Sequence, residues 1–459
     1  MDRYRRAGDL ALVGDAQGAV AILRDTGLGL PDAADHSYAL LLSHYATTSP
    51  EVLFDEHLRW AQQHATGFET VAFVNVRERK RKLRVGYVSA DFRDGHPLTY
   101  FIAPVLRAHD RHHFSVVCYS SVTNPDAGTQ RIAAMVDEWR NIRGVSDEAA
   151  AAMIRADQID VLVDLGGHCG GSRLLAFAHK PAPIQVSWLG YPDTTGLVTM
   201  DYRLTDEIAD PPGASERFHT EQLVRPAGGF LCYEPPVSDL AVSALPAWFS
   251  AGVTFGSFQY PAKITADVIA TWARILQRVP DSELLLHHCF SDYFDPRGAV
   301  RNRIESSFAA HGIAPGRLRF AGSLPLRQHL ELHAQVDIAL DTFPYNGTTT
   351  TCESLWMGVP VVTLEGRTHA GRVGKSILTR VGLSDLVAAD KGRYVELAIG
   401  LAGDLDRLAR LRASLRPTMA ESPLLDAHTF TRGVEREYRA MWAAWCDELS
   451  TPTSRSALR

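Results

Sequence analysis

Apolar and polar positions follow two rhythms along the chain. Through the first 80 residues they recur at helical spacing. The stretch from Gly14 to Asp25 (GDAQGAVAILRD) carries small and apolar side chains on one face, and positions 37–64 place Leu40, Leu41, Tyr45, Leu53, Phe54, Leu58 and Trp60 in the pattern of two further helices. From Leu83 onward the rhythm changes to short apolar runs separated by helical segments. One set covers 83–89, 114–121, 159–167, 184–190 and 201–206; a second covers 253–258, 282–288, 317–322, 337–343 and 359–366. Strands that are apolar on both faces and alternate with helices belong in parallel sheets covered on both sides.

Two such sets, divided by the Pro- and polar-rich stretch Glu234 to Ala247, predict an α/β protein of two Rossmann-like domains behind a helical N-terminal prefix. The expected partition is a helical prefix over 1–80, a first Rossmann-like domain over 81–240, and a second over 241–450 that includes the C-terminal helix. The GDAQGAVAIL segment looks like the second half of one tetratricopeptide unit. A lone incomplete unit has no neighbours against which to bury its face, so no superhelix is expected.

Composition narrows the classes. A chain of 459 residues, 46% hydrophobic and 22% charged, buries ample core and exceeds one ordinary domain. A formal charge of −6 gives no electrostatic reason for a nucleic-acid partner. The basic cluster Arg77, Arg79, Lys80, Arg81, Lys82 and Arg84 reads as a solvated linker at a domain entry. No window reaches the roughly 18 apolar residues that span a bilayer, and the first residues lack the apolar core of a signal peptide. The expectation is a soluble, cytoplasmic protein with no membrane partner. The cysteines (Cys118, Cys169, Cys232, Cys289, Cys352, Cys446) are scattered without C-x-x-C spacing, so reduced thiols and no structural metal are expected.

Candidate chemistry gathers at strand ends. In a doubly wound sheet the ligand lies outside the carboxyl ends of the strands, and there the sequence places His96, Gly166-Gly167-His168 followed by Cys169, Gly190-Tyr191-Pro192, Lys263 and Asp341. The segment from Asp337 to Ser354 (DIALDTFPYNGTTTTCES) reads as strand, turn and exposed helix N-terminus, where unpaired amides and the helix dipole suit a phosphate-bearing ligand. An equally open reading is a simple capping box between Thr350 and Glu353.

Other chemistries lose support. Gly374-Lys375-Ser376 is not the end of a P-loop, because the required glycine is His369. A G-x-G-x-x-G after the first strand, a G-x-S-x-G elbow and an H-E-x-x-H are all missing. Asp404-Leu405-Asp406 falls in a charged helical stretch rather than at a strand end.

Several long motifs occur in one order: RVGYVSADF with a following His-Pro, PAPIQVSWLGYPDTTGLVTMDYRLTD, FGSFQYPAKIT, RVPDSELLL and DTFPYNGTTTTCESLWMGVPVVTLEG. Together they resemble the catalytic region of the protein O-linked N-acetylglucosamine transferases and their SPINDLY-type O-fucosyltransferase relatives, over about residues 83 to 446.

The resemblance implies the GT-B glycosyltransferase architecture and inverting, metal-independent transfer without a cofactor. The implied reaction moves a sugar from a nucleotide-sugar to Ser/Thr hydroxyls of a protein acceptor. UDP-N-acetylglucosamine is the favoured donor and GDP-fucose the alternative. By the same resemblance Lys263 contacts the diphosphate, Thr349 and Thr350 start the phosphate-binding helix, and His329 lies beside the nucleobase. Leu324, Tyr260, Asn346, Gly347, Thr348 and Glu353 complete the nucleotide-sugar set. His96 lies near the acceptor, as base or as positioning group. His168, Cys169, Tyr191 and Pro192 are the implied sugar and acceptor cleft.

Three departures stand out. The Asp91-Phe92-Arg93-Asp94-Gly95-His96 segment is one residue longer than the family pattern; Thr348-Thr349-Thr350 replaces His-Thr-Thr; and Gln259-Tyr260 replaces an Asn-rich pair. The GTTTTCES form and the chain's ending resemble the fucosyl branch. A catalytically silent nucleotide-sugar-binding protein is the reading of another class. An epimerase acting on UDP-N-acetylglucosamine would share the architecture but not these motifs.

Overall fold

The computed structural model describes residues 2–24, 32–68, 72–289 and 292–447; residues 1, 25–31, 69–71, 290–291 and 448–450 of the expected partition lie outside them. Among the described residues, the first set of apolar runs forms a seven-stranded sheet from β1 (Leu83–Ser89), β2 (Phe114–Ser120), β3 (Glu138–Asn141), β4 (Val161–Asp164), β5 (Ile184–Ser187), β6 (Tyr202–Leu204) and β7 (Gln222–Val224). Its order is β3-β2-β1-β4-β5-β6-β7, and neighbours run parallel. The second set forms a six-stranded parallel sheet from β8 (Thr254–Ser257), β9 (Glu283–His287), β10 (Leu318–Ala321), β11 (Ile338–Leu340), β12 (Val361–Leu364) and β13 (Val387–Ala388), in the order β10-β9-β8-β11-β12-β13.

β4, β5, β8 and β12 are buried at every position, as strands covered on both faces require. In each sheet the order reverses beside the first strand, between β1 and β4 and between β8 and β11. That reversal opens the crevice where a doubly wound sheet takes a ligand.

The chain divides into two compact units that do not follow the expected linear partition. One holds residues 54–207, 212–234 and the segment from 427; the other holds 1–53, 208–211 and 235–426. The C-terminal helix Ala427–Asp447 therefore belongs with the first sheet. Its Phe430, Val434, Tyr438, Met441, Trp442 and Trp445 recur at helical spacing and share one core with Val85, Tyr87, Val116 and Val186.

The basic cluster is no solvated linker. The Arg77 guanidinium lies 3.6 Å from the ring centroid of Trp445, and Arg81 lies 4.4 Å from that of Trp442. Arg81 also pairs with the buried Asp160, Arg79 with Asp447, and Arg84 with Glu138 at 2.8 Å. Planar guanidinium groups stack on indole faces while donating at their edges, so the segment straps the C-terminal helix down.

The prefix is anchored too. The helices Asp2–Leu12, Ala16–Arg24 and Ala33–Ala46 share a small core of Ala7, Ala11, Ala19, Leu23, Ala39, Leu42 and Tyr45, which continues onto Ala262, Tyr260 and Tyr345 of the second-sheet unit. No described helix is long and apolar enough to cross a membrane.

Candidate active site

At the carboxyl ends of the second sheet, β11 runs into Asp341, whose buried carboxylate organises the following loop. One oxygen accepts from the amides of Gly347 at 2.7 Å and Thr342 at 2.9 Å; the other accepts from the Thr363 hydroxyl at 2.6 Å. Asn346 ties the loop down by donating to the Thr342 carbonyl at 2.9 Å and accepting from the Gly374 amide at 3.2 Å.

The loop delivers the chain into the helix Thr349–Trp356. Thr348 stands at the N-cap without a side-chain capping bond, and Thr348, Thr349 and Thr350 are half-buried. The capping-box reading fails. Thr350 is the second residue of the helix, and the buried Glu353 turns its carboxylate to His329 Nε2 at 3.1 Å. The helix start is thus left without a side-chain cap, as an anion site requires.

Gln259, just past β8, donates from Nε2 to Thr350 Oγ1 at 2.8 Å. A Cβ at Gly347 would lie 2.1 Å from that same Nε2, so any side chain there would displace Gln259 from Thr350 or shift the helix start. Ser257, Gln259, Asp341, Thr350, Thr351 and Ser354 line a tight cavity of about 10 Å³, the room of roughly one water molecule, at this switch point.

Lys263 closes a short turn, Pro261–Lys263. It is half-buried, donates from Nζ to the Asn346 carbonyl at 2.9 Å, and lies 4.0 Å from the ring centroid of Tyr345. Burial pushes its ammonium below the ordinary lysine range, against the pull of Asp341, and pushes the Asp341 carboxyl upward. The turn is braced from the prefix: the Tyr45 ring lies 5.3 Å from Tyr345 and 6.4 Å from Tyr260.

His329 is fully buried on the helix Leu326–Glu331, which follows the half-buried Leu324. Its ring lies 5.1 Å from His287 and 5.7 Å from Phe258, and Phe258 stacks on His333 at 3.8 Å. Burial pushes His287 down to about 4 and His288 down to about 3, so both rings are neutral near pH 7. The second-sheet unit therefore brings Lys263, Asn346, Gly347 and the start of the helix Thr349–Trp356 to one loop, with Tyr260 beside it and Glu353 and His329 paired behind it, while Leu324 is placed only as half-buried before the helix of His329.

The first-sheet unit is described separately. β1 runs into Asp91, whose amide donates to Ser89 Oγ at 2.9 Å, and then into the loop of the half-buried His96. β4 ends at the buried Asp164, which accepts from the Gly166 and Gly167 amides at 3.2 and 2.7 Å; burial, opposed by those amides, raises its carboxyl to about 6. Gly167 has φ of +52°, and a Cβ there would lie 2.3 Å from Tyr191, so this turn packs directly on the tyrosine.

The four residues expected to form a sugar and acceptor cleft divide in the structure. His168, Tyr191 and Pro192 are buried; His168 Nε2 donates to the Thr195 carbonyl at 2.9 Å, and the Tyr191 hydroxyl meets His57 Nε2 at 2.8 Å. Cys169 alone of the four is half-buried, with its thiol 3.2 Å from the Gly190 carbonyl and pushed up to about 12 by burial.

Residues 61–232 and 242–434 match the family described as Glycosyl transferase family 41. The chain belongs to glycosyl transferase family 41. It is 43% identical over 425 residues to the probable UDP-N-acetylglucosamine-peptide N-acetylglucosaminyltransferase SPINDLY of Solanum lycopersicum, covering 91% of this chain and 45% of that protein. Against the Arabidopsis thaliana protein of the same name the identity is 41% over 427 residues, covering 91% and 46%. The chain spans about half the length of the curated relatives it matches. Among solved structures it is similar to a mutant of the Thermobaculum terrenum O-GlcNAc transferase, with 36% identity and a TM-score of 0.90 over 97% of this chain and 85% of that one.

Within this family 41 chain, sequence reasoning overlooked Tyr345 and Tyr45 at the lysine turn and Asp91 beside His96. Tyr345 stands inside the FPYNG turn and was legible as an aromatic next to the loop that opens the helix Thr349–Trp356. Tyr45 was not, because only the fold brings residue 45 to residue 345.

Proposed function

We propose that this chain is an inverting, metal-independent glycosyltransferase that moves N-acetylglucosamine from UDP-N-acetylglucosamine to Ser/Thr hydroxyls of a protein acceptor. The second-sheet unit holds the nucleotide-sugar and the first-sheet unit addresses the acceptor. The observation that carries this reading is the convergence of the Lys263 ammonium, held at the Asn346 carbonyl, with the uncapped start of the helix Thr349–Trp356. A departing nucleoside diphosphate gains negative charge, and a fixed ammonium with helix amides meets that charge where other enzymes place a divalent cation.

The names of the relatives favour UDP-N-acetylglucosamine and a peptide acceptor. All six thiols are free, which suits a reducing compartment such as the cytoplasm. Thermal-shift titration with UDP, GDP, UDP-N-acetylglucosamine and GDP-fucose tests the donor; a ligand at 100 times its dissociation constant stabilises by about 2.7 kcal/mol. Sugar transfer from radiolabelled UDP-N-acetylglucosamine, unaffected by EDTA, is the expected activity. A shift and transfer with GDP and GDP-fucose alone would move the assignment to O-fucosylation, and binding without turnover would make the chain a silent binder.

A further inference from the structure

The loop that carries His96 is pinned on both sides. The Asp94 amide donates to Asp126 at 3.0 Å, Arg131 pairs with Asp94, and the Thr99 hydroxyl donates to the His96 carbonyl at 2.8 Å. The Leu98 amide donates to His96 Nδ1 at 3.3 Å. A backbone N–H has only a proton to give, so Nδ1 holds the lone pair and, in the neutral ring, Nε2 holds the proton. Nε2 in turn lies 3.4 Å from Asp91 Oδ1. Burial lowers the proton affinity of this imidazole, with Asp91 opposing and Arg93 reinforcing the effect, which keeps the ring neutral.

A ring in this tautomer presents an N–H, not a basic lone pair. The carboxylate beside it has accepting capacity left. Asp91 lines a tight cavity of about 10 Å³, the room of roughly one water molecule, together with Ser89, Asp164, Gly166, Gly170 and Arg173. The other carboxylate there, Asp164, is buried and engaged by two amides.

Resting on the proposed function, we infer that Asp91 receives the proton of the acceptor hydroxyl and that His96 is the residue that positions it. In this step the acceptor O–H bond breaks and its proton passes to an Asp91 carboxylate oxygen. The acceptor oxygen forms a bond to the anomeric carbon, and the bond from that carbon to the diphosphate oxygen breaks, its electron pair leaving with the nucleotide.

The test measures release of sugar from radiolabelled UDP-N-acetylglucosamine to water, the simplest acceptor, with a parallel arm using GDP-fucose. Asp91→Ala is expected to lower kcat by about a hundredfold or more, to leave UDP affinity unchanged, and to regain turnover in sodium formate, whose carboxylate fills the vacated place. His96→Gln, which keeps an N–H donor, is expected to lose less than Asp91→Ala and to gain nothing from formate. Turnover near wild type in Asp91→Ala, or no recovery with formate, overturns the assignment while leaving the glycosyltransferase reading intact. A wild-type protein that consumes neither donor removes that reading and the inference with it.

Discussion

The Lys263 ammonium lies 4.0 Å from the ring centroid of Tyr345 and donates to the carbonyl of the next residue, Asn346, at 2.9 Å. Aromatic face and carbonyl together orient a single cation toward the loop that opens the helix Thr349–Trp356. Its direct contacts are an aromatic face and a peptide dipole, with the Asp341 carboxylate acting on it only through its field, so a diphosphate would add a counter-charge in direct contact with the ammonium.

Lys263→Ala should lower turnover at least about a hundredfold, since removing one charge-stabilising donor raises a barrier by about 2.7–4 kcal/mol. Steady-state kinetics with the labelled donor check this, and near-normal kcat in the variant contradicts the role.

Nucleotide affinity should fall at alkaline pH earlier than an exposed lysine would cause. Burial depresses the Lys263 pKa in the free protein, so as pH rises the side chain loses its proton first, and binding a diphosphate must then take one up. The decline approaches about tenfold per pH unit above that pKa. Of the other titratable groups around Lys263, Asp341 and His288 titrate on the acid side of this window, and the Tyr345 phenol beside the ammonium is separated from it by the flattening expected in Lys263→Ala. Calorimetric titration of UDP across the alkaline range should show the decline, and Lys263→Ala should flatten it.

Gly347→Ala should weaken nucleotide binding by about tenfold or more. Its Cβ would lie 2.1 Å from Gln259 Nε2 and 2.7 Å from Thr350 Oγ1, so either Gln259 leaves or the helix start shifts, at a cost of about 1–3 kcal/mol. An unchanged UDP dissociation constant would show that the loop tolerates the methyl group.

Trp442→Ala should destabilise the first-sheet unit by about 3–5 kcal/mol, as expected for an indole with no exposed surface in a closed core. Urea unfolding reads the loss, and UDP affinity should remain as in the wild type, because the indole belongs to a different unit from the nucleotide residues.

Much of the fold was legible because buried parallel strands announce themselves as apolar runs. All ten runs read from the sequence became strands, and the three strands not anticipated have edge-type sequences. β3 (EWRN) is polar, β7 has three residues and β13 two, too short for any periodicity to register. The loop after β11 was legible for a related reason: Asp341, Asn346, Gly347 and the threonines are local in sequence, so spacing alone placed them on one turn.

The remainder depended on distant pairs. Arg77 reads as a solvated cation until Trp445 covers it, and Glu353 reads as a capping residue until His329 claims it. The tautomer of His96 was equally hidden, since it follows from a hydrogen bond with the Leu98 amide that no motif encodes.

The helix Ala427–Asp447, which completes the core over β1, β2 and β5, is encoded after the whole of the second sheet. The half of the protein translated earlier must therefore wait on the ribosome with a greasy flank uncovered while the later half is synthesised. Maturation runs out of order: the second sheet, made later, can close before the first, which is sealed only when this helix emerges.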